Sequence, residues 1–257
     1  METTEIILKA HDLRKSFKGF KAVDGASFAV RRGSIHGLIG PNGAGKTTCF
    51  NLLTGFLRPD SGDVTFEGVS ITGVSPESLA KMGMVRSFQI SSVFTEMTAL
   101  ENVRIALLAK ERGYWCFWRS ENDLDRLNGR AMELLAQVGL DTLANLTTKL
   151  LPYGKKRALE LATTLALEPA LMLLDEPTQG MGHEDVADIV NLVRQAAVGR
   201  TVLMVEHNMN VVSGLCDTIT VMTRGKVLAE GTYEQLSVNP AVREAYLGTP
   251  EGVDHGQ

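Results

Sequence analysis

At 257 residues, with 44% apolar and 6% aromatic side chains, the chain can bury a substantial core as one elaborated domain or two closely joined ones, which excludes a mainly disordered protein. The 26 basic and 30 acidic residues leave a net charge of −4, so nothing draws the chain as a whole to nucleic acid. Cys49, Cys116 and Cys216 are isolated and form no CxxC pair, which speaks against a disulfide framework or a structural zinc site and fits a reducing compartment.

The opening METTEIILKAHD carries no basic leader followed by an apolar run, and no stretch reaches the ~18 apolar residues that cross a bilayer. Work at a membrane is therefore expected to run through a partner. Residues 7–17 (ILKAHDLRKSF) and 21–34 (KAVDGASFAVRRGS) alternate in polarity and are broken by Gly19, Gly25 and Gly33, which predicts paired strands. Phe17 can offer adenine a flat aromatic surface, with Phe20 as the competing candidate, and either can instead belong to the core.

The apolar run IHGLI then leads into GPNGAGKT, residues 40–47, followed by TCFNLL. Strand, glycine-rich turn and helix start thus stand in the order that cradles a polyphosphate. Gly40, Gly43 and Gly45 allow close backbone approach, and Pro41, Asn42 and Ala44 complete a loop whose amides point at phosphate oxygens beside the positive end of a helix. Lys46 is expected to reach the β/γ-phosphates and Thr47 to give its hydroxyl to Mg²⁺, while Thr48 either binds the α-phosphate or caps locally. His36, inside the apolar strand, reads as structural, and His11, His183 and His255 lack paired ligand spacing.

Residues 62–71 (GDVTFEGVSI) read as one more strand of the antiparallel layer. Gln89 follows the strand-like GMVRSF, where an amide can ligate Mg²⁺ and sense the γ-phosphate at the junction of two subdomains. The pattern then turns helical through LENVRIALLAKER, LDRLNGRAMELLAQVGL and KKRALELATTLALEP, until Pro169 and LMLLD mark a return to the sheet. Between the first two helices, Tyr114, Trp115, Phe117 and Trp118 crowd together as either a satellite core or a contact surface for a short partner helix.

Asp175 and Glu176 end the strand LMLLD, the place where side chains meet ligand in an open α/β sheet. Asp175 is expected in the Mg²⁺ shell and Glu176 as the group that polarises attacking water. TVLMVEH ends another strand on Glu206 and His207, whose imidazole can touch a γ-phosphate or hold the water in register. Residues 185–197 and 209–216 read as helices, and TITVM with GKVLAEG as a terminal hairpin. The expected fold is α/β: a phosphate-loop nucleotide-binding core with an antiparallel β subdomain (1–89 and 169–235), an inserted helical subdomain (90–168) and a tail (236–257). One phosphate loop means one nucleotide site, or half of a shared pair.

The ordered set GPNGAGKT, SFQ, LPYGKKR, LMLLDEP, TQGMG and EH resembles the Walker A, Q-loop, signature, Walker B, D-loop and switch-histidine segments of an ATP-binding-cassette transporter subunit, over about residues 6 to 248. The resemblance implies ATP and Mg²⁺ as ligands and a second cassette, identical or merely related. The signature residues Pro152, Tyr153, Gly154 and Lys155 of one copy would face the phosphate loop of the other. It further implies two transmembrane permease subunits and a place on the cytoplasmic face of a bacterial-type inner or plasma membrane. SFKGFKAVDGASF, RSFQISSVFTEMTALENV and NPAVREAYLG are similar to the branched-chain amino-acid uptake group, whose relatives include urea and amide importers served by a soluble solute-binding protein. An exporter or lipid-extraction motor and a non-transport cassette are the alternatives. The zinc modules, tandem cassettes and basic extensions of the last class are not visible.

Three positions depart from the family pattern. Pro152 replaces the usual signature serine and offers neither hydroxyl nor amide, Lys155 replaces glutamine, and Gly182 stands where the D-loop commonly has aspartate or asparagine. Lys155 is expected either to compensate by charge or to tether a carboxylate. Because Lys46, Gln89, Asp175, Glu176 and His207 are all present, slower or more partner-dependent hydrolysis is expected rather than its loss.

Overall fold

The computed structural model describes residues 5–87, 93–112 and 125–247. They divide into two compact units, one before Glu77 and after Val202, the other Glu77–Val202.

In the first unit, β1 (Ile6–Phe17) pairs antiparallel with β2 (Phe20–Arg31), and β4 (Ser61–Phe66) lies on its other side, followed by β5 (Val69–Ser70) in the order β2-β1-β4-β5. Register matches Leu8 with Val30 on one flank and Phe66 on the other, so buried side chains fall in rows across the layer. Residues 62–71, expected as one strand, instead fold back as a hairpin. Glu67 (φ 50) and Gly68 (φ 78) both take left-handed angles, the geometry that a two-residue turn between right-twisted strands requires.

The same unit holds β3 (Ile35–Ile39), buried along its whole length, parallel to β9 (Thr218–Thr223), which pairs antiparallel with β10 (Lys226–Gly231). Helix α1 (Lys46–Leu53) follows β3. Strand β8 (Thr201–Val205) contains the boundary at Val202, and α7 (Met209–Leu215) follows it. Ile39, Val212, Ile219 and Val221 form a core cluster with Leu236 of α8 (Tyr233–Ser237) and Val242 of α9 (Pro240–Leu247). The segment expected as a tail is thus helical through 247. A reciprocal cap at Thr232 and Gln235 starts α8.

Helix α2 (Pro76–Lys81) contains the boundary at Glu77, and the second unit holds β6 (Met84–Ser87) parallel to β7 (Leu171–Asp175), with Ser87 opposite Leu174. Helices α3 (Ala99–Arg112), α4 (Asn128–Gln137) and α5 (Tyr153–Ala166) pack together, and α6 (His183–Ala196) packs on α5. The start of α3 is set by a capping box: Glu101 accepts from the Thr98 amide at 2.7 Å, and the Thr98 hydroxyl accepts from the Glu101 amide at 3.2 Å. Those bonds to Thr98 hold the Glu101 carboxyl below its usual range. Asn102, 3% exposed, uses its amide on Phe94, Thr98 and Thr148, fixing the path of chain into and beside this helix.

Candidate functional site

The candidate residues fall into two groups, one within each unit. In the first, β3 delivers the chain to Gly40, and α1 opens at Lys46. Gly45 caps that helix at φ 97, and a Cβ there would run into the Ala22 carbonyl. Gly40 is similarly pressed against the Met222 carbonyl, so at both positions only glycine lets the loop lie this close to its neighbours. The Ala44 carbonyl accepts from the Gly225 amide at 2.9 Å, and the Gly225 carbonyl accepts from Asp24 at 2.8 Å, which ties the loop to the β9–β10 turn and to β2.

Lys46 is 7% exposed, and its Nζ donates to the Gly40 carbonyl at 2.6 Å and the Pro41 carbonyl at 3.1 Å. A buried ammonium held by carbonyls of its own loop is a cation in wait for an anion of better basicity. Asn42, Gly43 and Thr47 are exposed, Pro41 and Thr48 half-buried, and Ala44 buried. Behind the loop, burial pushes the Cys49 thiol up to about 12, so it acts as an apolar side chain.

Phe17 and Phe20 face each other at the β1–β2 turn and are 44% and 67% exposed, so neither is a core residue. At the end of β8, Glu206 is fully buried and accepts from the amides of His207 (3.1 Å) and Asn208 (3.3 Å). Asn208 then caps α7 by accepting from Asn210 at 3.1 Å, and the His207 residue is exposed between these two fixed points. His36 is buried, bonded through Nε2 to the Thr220 hydroxyl at 2.8 Å and stacked on Phe28, and burial lowers it to about 4. Its setting is that of a structural residue.

In the second unit, β7 carries Asp175 and Glu176 to its C-terminal end. Asp175 Oδ2 accepts from Arg86 Nη2 at 2.5 Å, with the two side chains 18% and 8% exposed. Sequence reading missed Arg86. The available sign was an arginine inside the apolar strand GMVRSF, on a strand that lies beside β7. Glu176 sits at φ 47, a left-handed angle that is uncommon for a residue with a side chain and clusters at functional turns.

Pro152 precedes α5 with no side-chain cap, and Tyr153 opens the helix. A Cβ on Gly154 would lie 3.4 Å from Asp185 Oδ1. Lys155 is exposed and donates to the Gly139 carbonyl at 3.4 Å. Gly182 occupies the N-cap of α6 and supplies no side-chain cap. Gln89 and the aromatic group Tyr114, Trp115, Phe117 and Trp118 lie outside the described residues. Thr47 in the first unit and Asp175 in the second each carry an oxygen donor of the kind that Mg²⁺ takes.

A family profile described as "ABC transporter" matches residues 23–179, and one described as "Branched-chain amino acid ATP-binding cassette transporter" matches residues 226–252. The chain is 38% identical over 252 residues to BraF of Pseudomonas aeruginosa, a high-affinity branched-chain amino acid transport ATP-binding protein, covering 94% of this chain and 98% of the relative. It is 37% identical over 253 residues to LivG of Salmonella typhimurium, a protein of the same description, with the same coverage of 94% and 98%. The solved ADP conformation of MJ1267, an ATP-binding cassette of an ABC transporter, superposes with a TM-score of 0.83 at 33% identity, covering 96% of this chain and all of that one. The α/β cassette fold expected from the phosphate loop is the fold of that structure.

Proposed function

Because this chain belongs to the ATP-binding-cassette transporter family of ATPases, we propose that it drives a membrane importer of branched-chain or related amino acids. The observation that carries the nucleotide reading is the buried Lys46 ammonium, which donates to the Gly40 and Pro41 carbonyls of its own loop at the start of α1. The solute class rests on the relatives, and the match at residues 226–252 supports import over export or a non-transport role.

In this reading the backbone N–H groups of residues 42–47 bind the phosphates, and Lys46 exchanges its carbonyl partners for β/γ-oxygens. Phe17 stacks on adenine and Thr48 binds the α-phosphate. Thr47, Asp175 and Gln89 would hold Mg²⁺, which when bound neutralises charge on the phosphates. Glu176 accepts a proton from the attacking water, and His207 donates toward the γ-phosphate. Arg86 aims Asp175 by pairing with one of its oxygens.

Pro152, Tyr153, Gly154 and Lys155 face the nucleotide of a second cassette, identical or related, and two permeases provide the path for solute delivered by a binding protein. No nucleic acid is involved. Among the described residues no helix is long and apolar enough to cross a membrane, which supports peripheral attachment, here to the cytoplasmic face. The working parts of the cassette in this reading are an α/β core with its β subdomain (1–89 and 169–235), a helical insert at 90–168 and a C-terminal segment from 236. The test is reconstitution of the cassette with its permease pair in liposomes. ATP-dependent uptake of labelled leucine, isoleucine or valine is expected, and ATP hydrolysis indifferent to every such solute and its binding protein would contradict the importer assignment.

A further inference from the structure

One contact in the second unit joins two segments that are far apart in sequence. Tyr153, the first residue of α5, donates its hydroxyl to the Gln179 carbonyl at 3.1 Å and accepts from Arg157 Nη2 at 2.8 Å. The Arg157 guanidinium lies over the Tyr153 ring, 5.2 Å from its centre, and its other end donates to Glu160 Oε2 at 2.8 Å. With side-chain exposures of 14% for Arg157 and 9% for Glu160, this pair is a fixed anchor rather than a solvated surface contact. A cation donating to the phenol oxygen polarises the O–H and strengthens the bond that the hydroxyl gives onward.

The receiving segment is the short turn after β7. The Gln179 amide donates to the Glu176 carbonyl at 3.0 Å, closing a turn whose first residue has φ 47, and Met181 donates to Thr178 at 3.3 Å. Gly180 follows at φ 77, where a Cβ would lie 3.8 Å from the Tyr153 hydroxyl. A left-handed glutamate is strained and persists only where the surroundings over-determine it. Tyr153 grips this turn from outside.

We propose that Tyr153, oriented by Arg157, is a positioning residue for Glu176: it holds the 176–179 turn in the form that aims the carboxylate, and so ties the signature helix to the base within one cassette. The proposal rests on the assignment of Glu176 as base. It also gives the tyrosine a role separate from any contact with a facing nucleotide.

Tyr153→Phe keeps the ring and deletes the bond, and Arg157→Met removes the anchor without touching the tyrosine. In nucleotide-free protein, hydrogen exchange of the amides at 178–182 is expected to rise about fivefold in Tyr153→Phe, the factor that corresponds to one net hydrogen bond. Exchange over residues 40–47 should be unchanged. In the assembled transporter kcat should fall about fivefold with KM for ATP unaltered, and Arg157→Met should move both readouts in the same direction. Exchange within twofold of wild type, or a raised KM with kcat preserved, would overturn the proposal. A wild-type chain that neither binds nor hydrolyses ATP would refute the assignment of Glu176, while the exchange data on nucleotide-free protein would still judge the grip on the turn.

Discussion

Replacing Arg86 with methionine removes the guanidinium that sits 2.5 Å from Asp175 while keeping much of the volume of the side chain. Breaking a buried ion pair from one side costs about 3–5 kcal/mol, because the remaining charge stays behind unpaired. Arg86 is 8% exposed but Asp175 is 18% exposed, so some water reaches the carboxylate and the expected loss is nearer 2–3 kcal/mol. For a chain of this size that lowers Tm by about 5–10 °C. The assay is urea unfolding of Arg86→Met, Asp175→Asn and the double variant. If the pair interacts as described, the double variant loses less than the sum of the single losses, by at least about 1 kcal/mol. Because both groups are largely shielded, raising the salt concentration should change that coupling little. Additive losses, or an Arg86→Met variant within about 0.5 kcal/mol of wild type, would refute the reasoning.

His36 is held neutral by burial at about 4 against 6.5 in the unfolded chain, so between those values the unfolded state binds more protons and stability falls as pH falls. The full penalty, present below about 4, is about 3 kcal/mol, and His36→Gln should flatten the pH–stability curve in that window; parallel curves for the two proteins would count against it. Glu176→Gln should bind ATP with wild-type affinity and lose at least about 100-fold in turnover, read by single-turnover hydrolysis, and normal turnover would show that another group is the base. Gly45→Ala places a methyl against the Ala22 carbonyl at φ 97, so a loss of about 2 kcal/mol or more in unfolding free energy is expected together with weakened nucleotide binding. An unperturbed variant would mean that the loop tolerates a wider path.

The strand–loop–helix order at residues 35–53 was legible because an apolar run, glycines and a lysine act locally, and local rules decide them. The same holds for β7, where the four apolar residues 171–174 lead directly into Asp175 and Glu176. Residues 62–71 were read as one strand because their alternation outweighed the Glu67–Gly68 pair, whose left-handed angles fold the segment back. The segment from 236 reads as a tail, although Thr232 and Gln235 stand at capping-box spacing and start a helix that buries Leu236, with Val242 buried in the next. Arg86 and Tyr153 were opaque for a different reason. Their partners, Asp175 and Gln179, are brought to them by strand pairing and helix packing, and no spacing along the chain encodes either contact.

The claim on which the rest depends is that the Lys46 loop binds a triphosphate. Isothermal titration of the wild-type chain and Lys46→Ala with ATP and Mg²⁺ tests it directly. Loss of the charge-assisted bonds from one ammonium is expected to weaken binding by about 100-fold, equivalent to about 3 kcal/mol. Equal affinities for the two proteins, or no binding by wild type, would contradict the account.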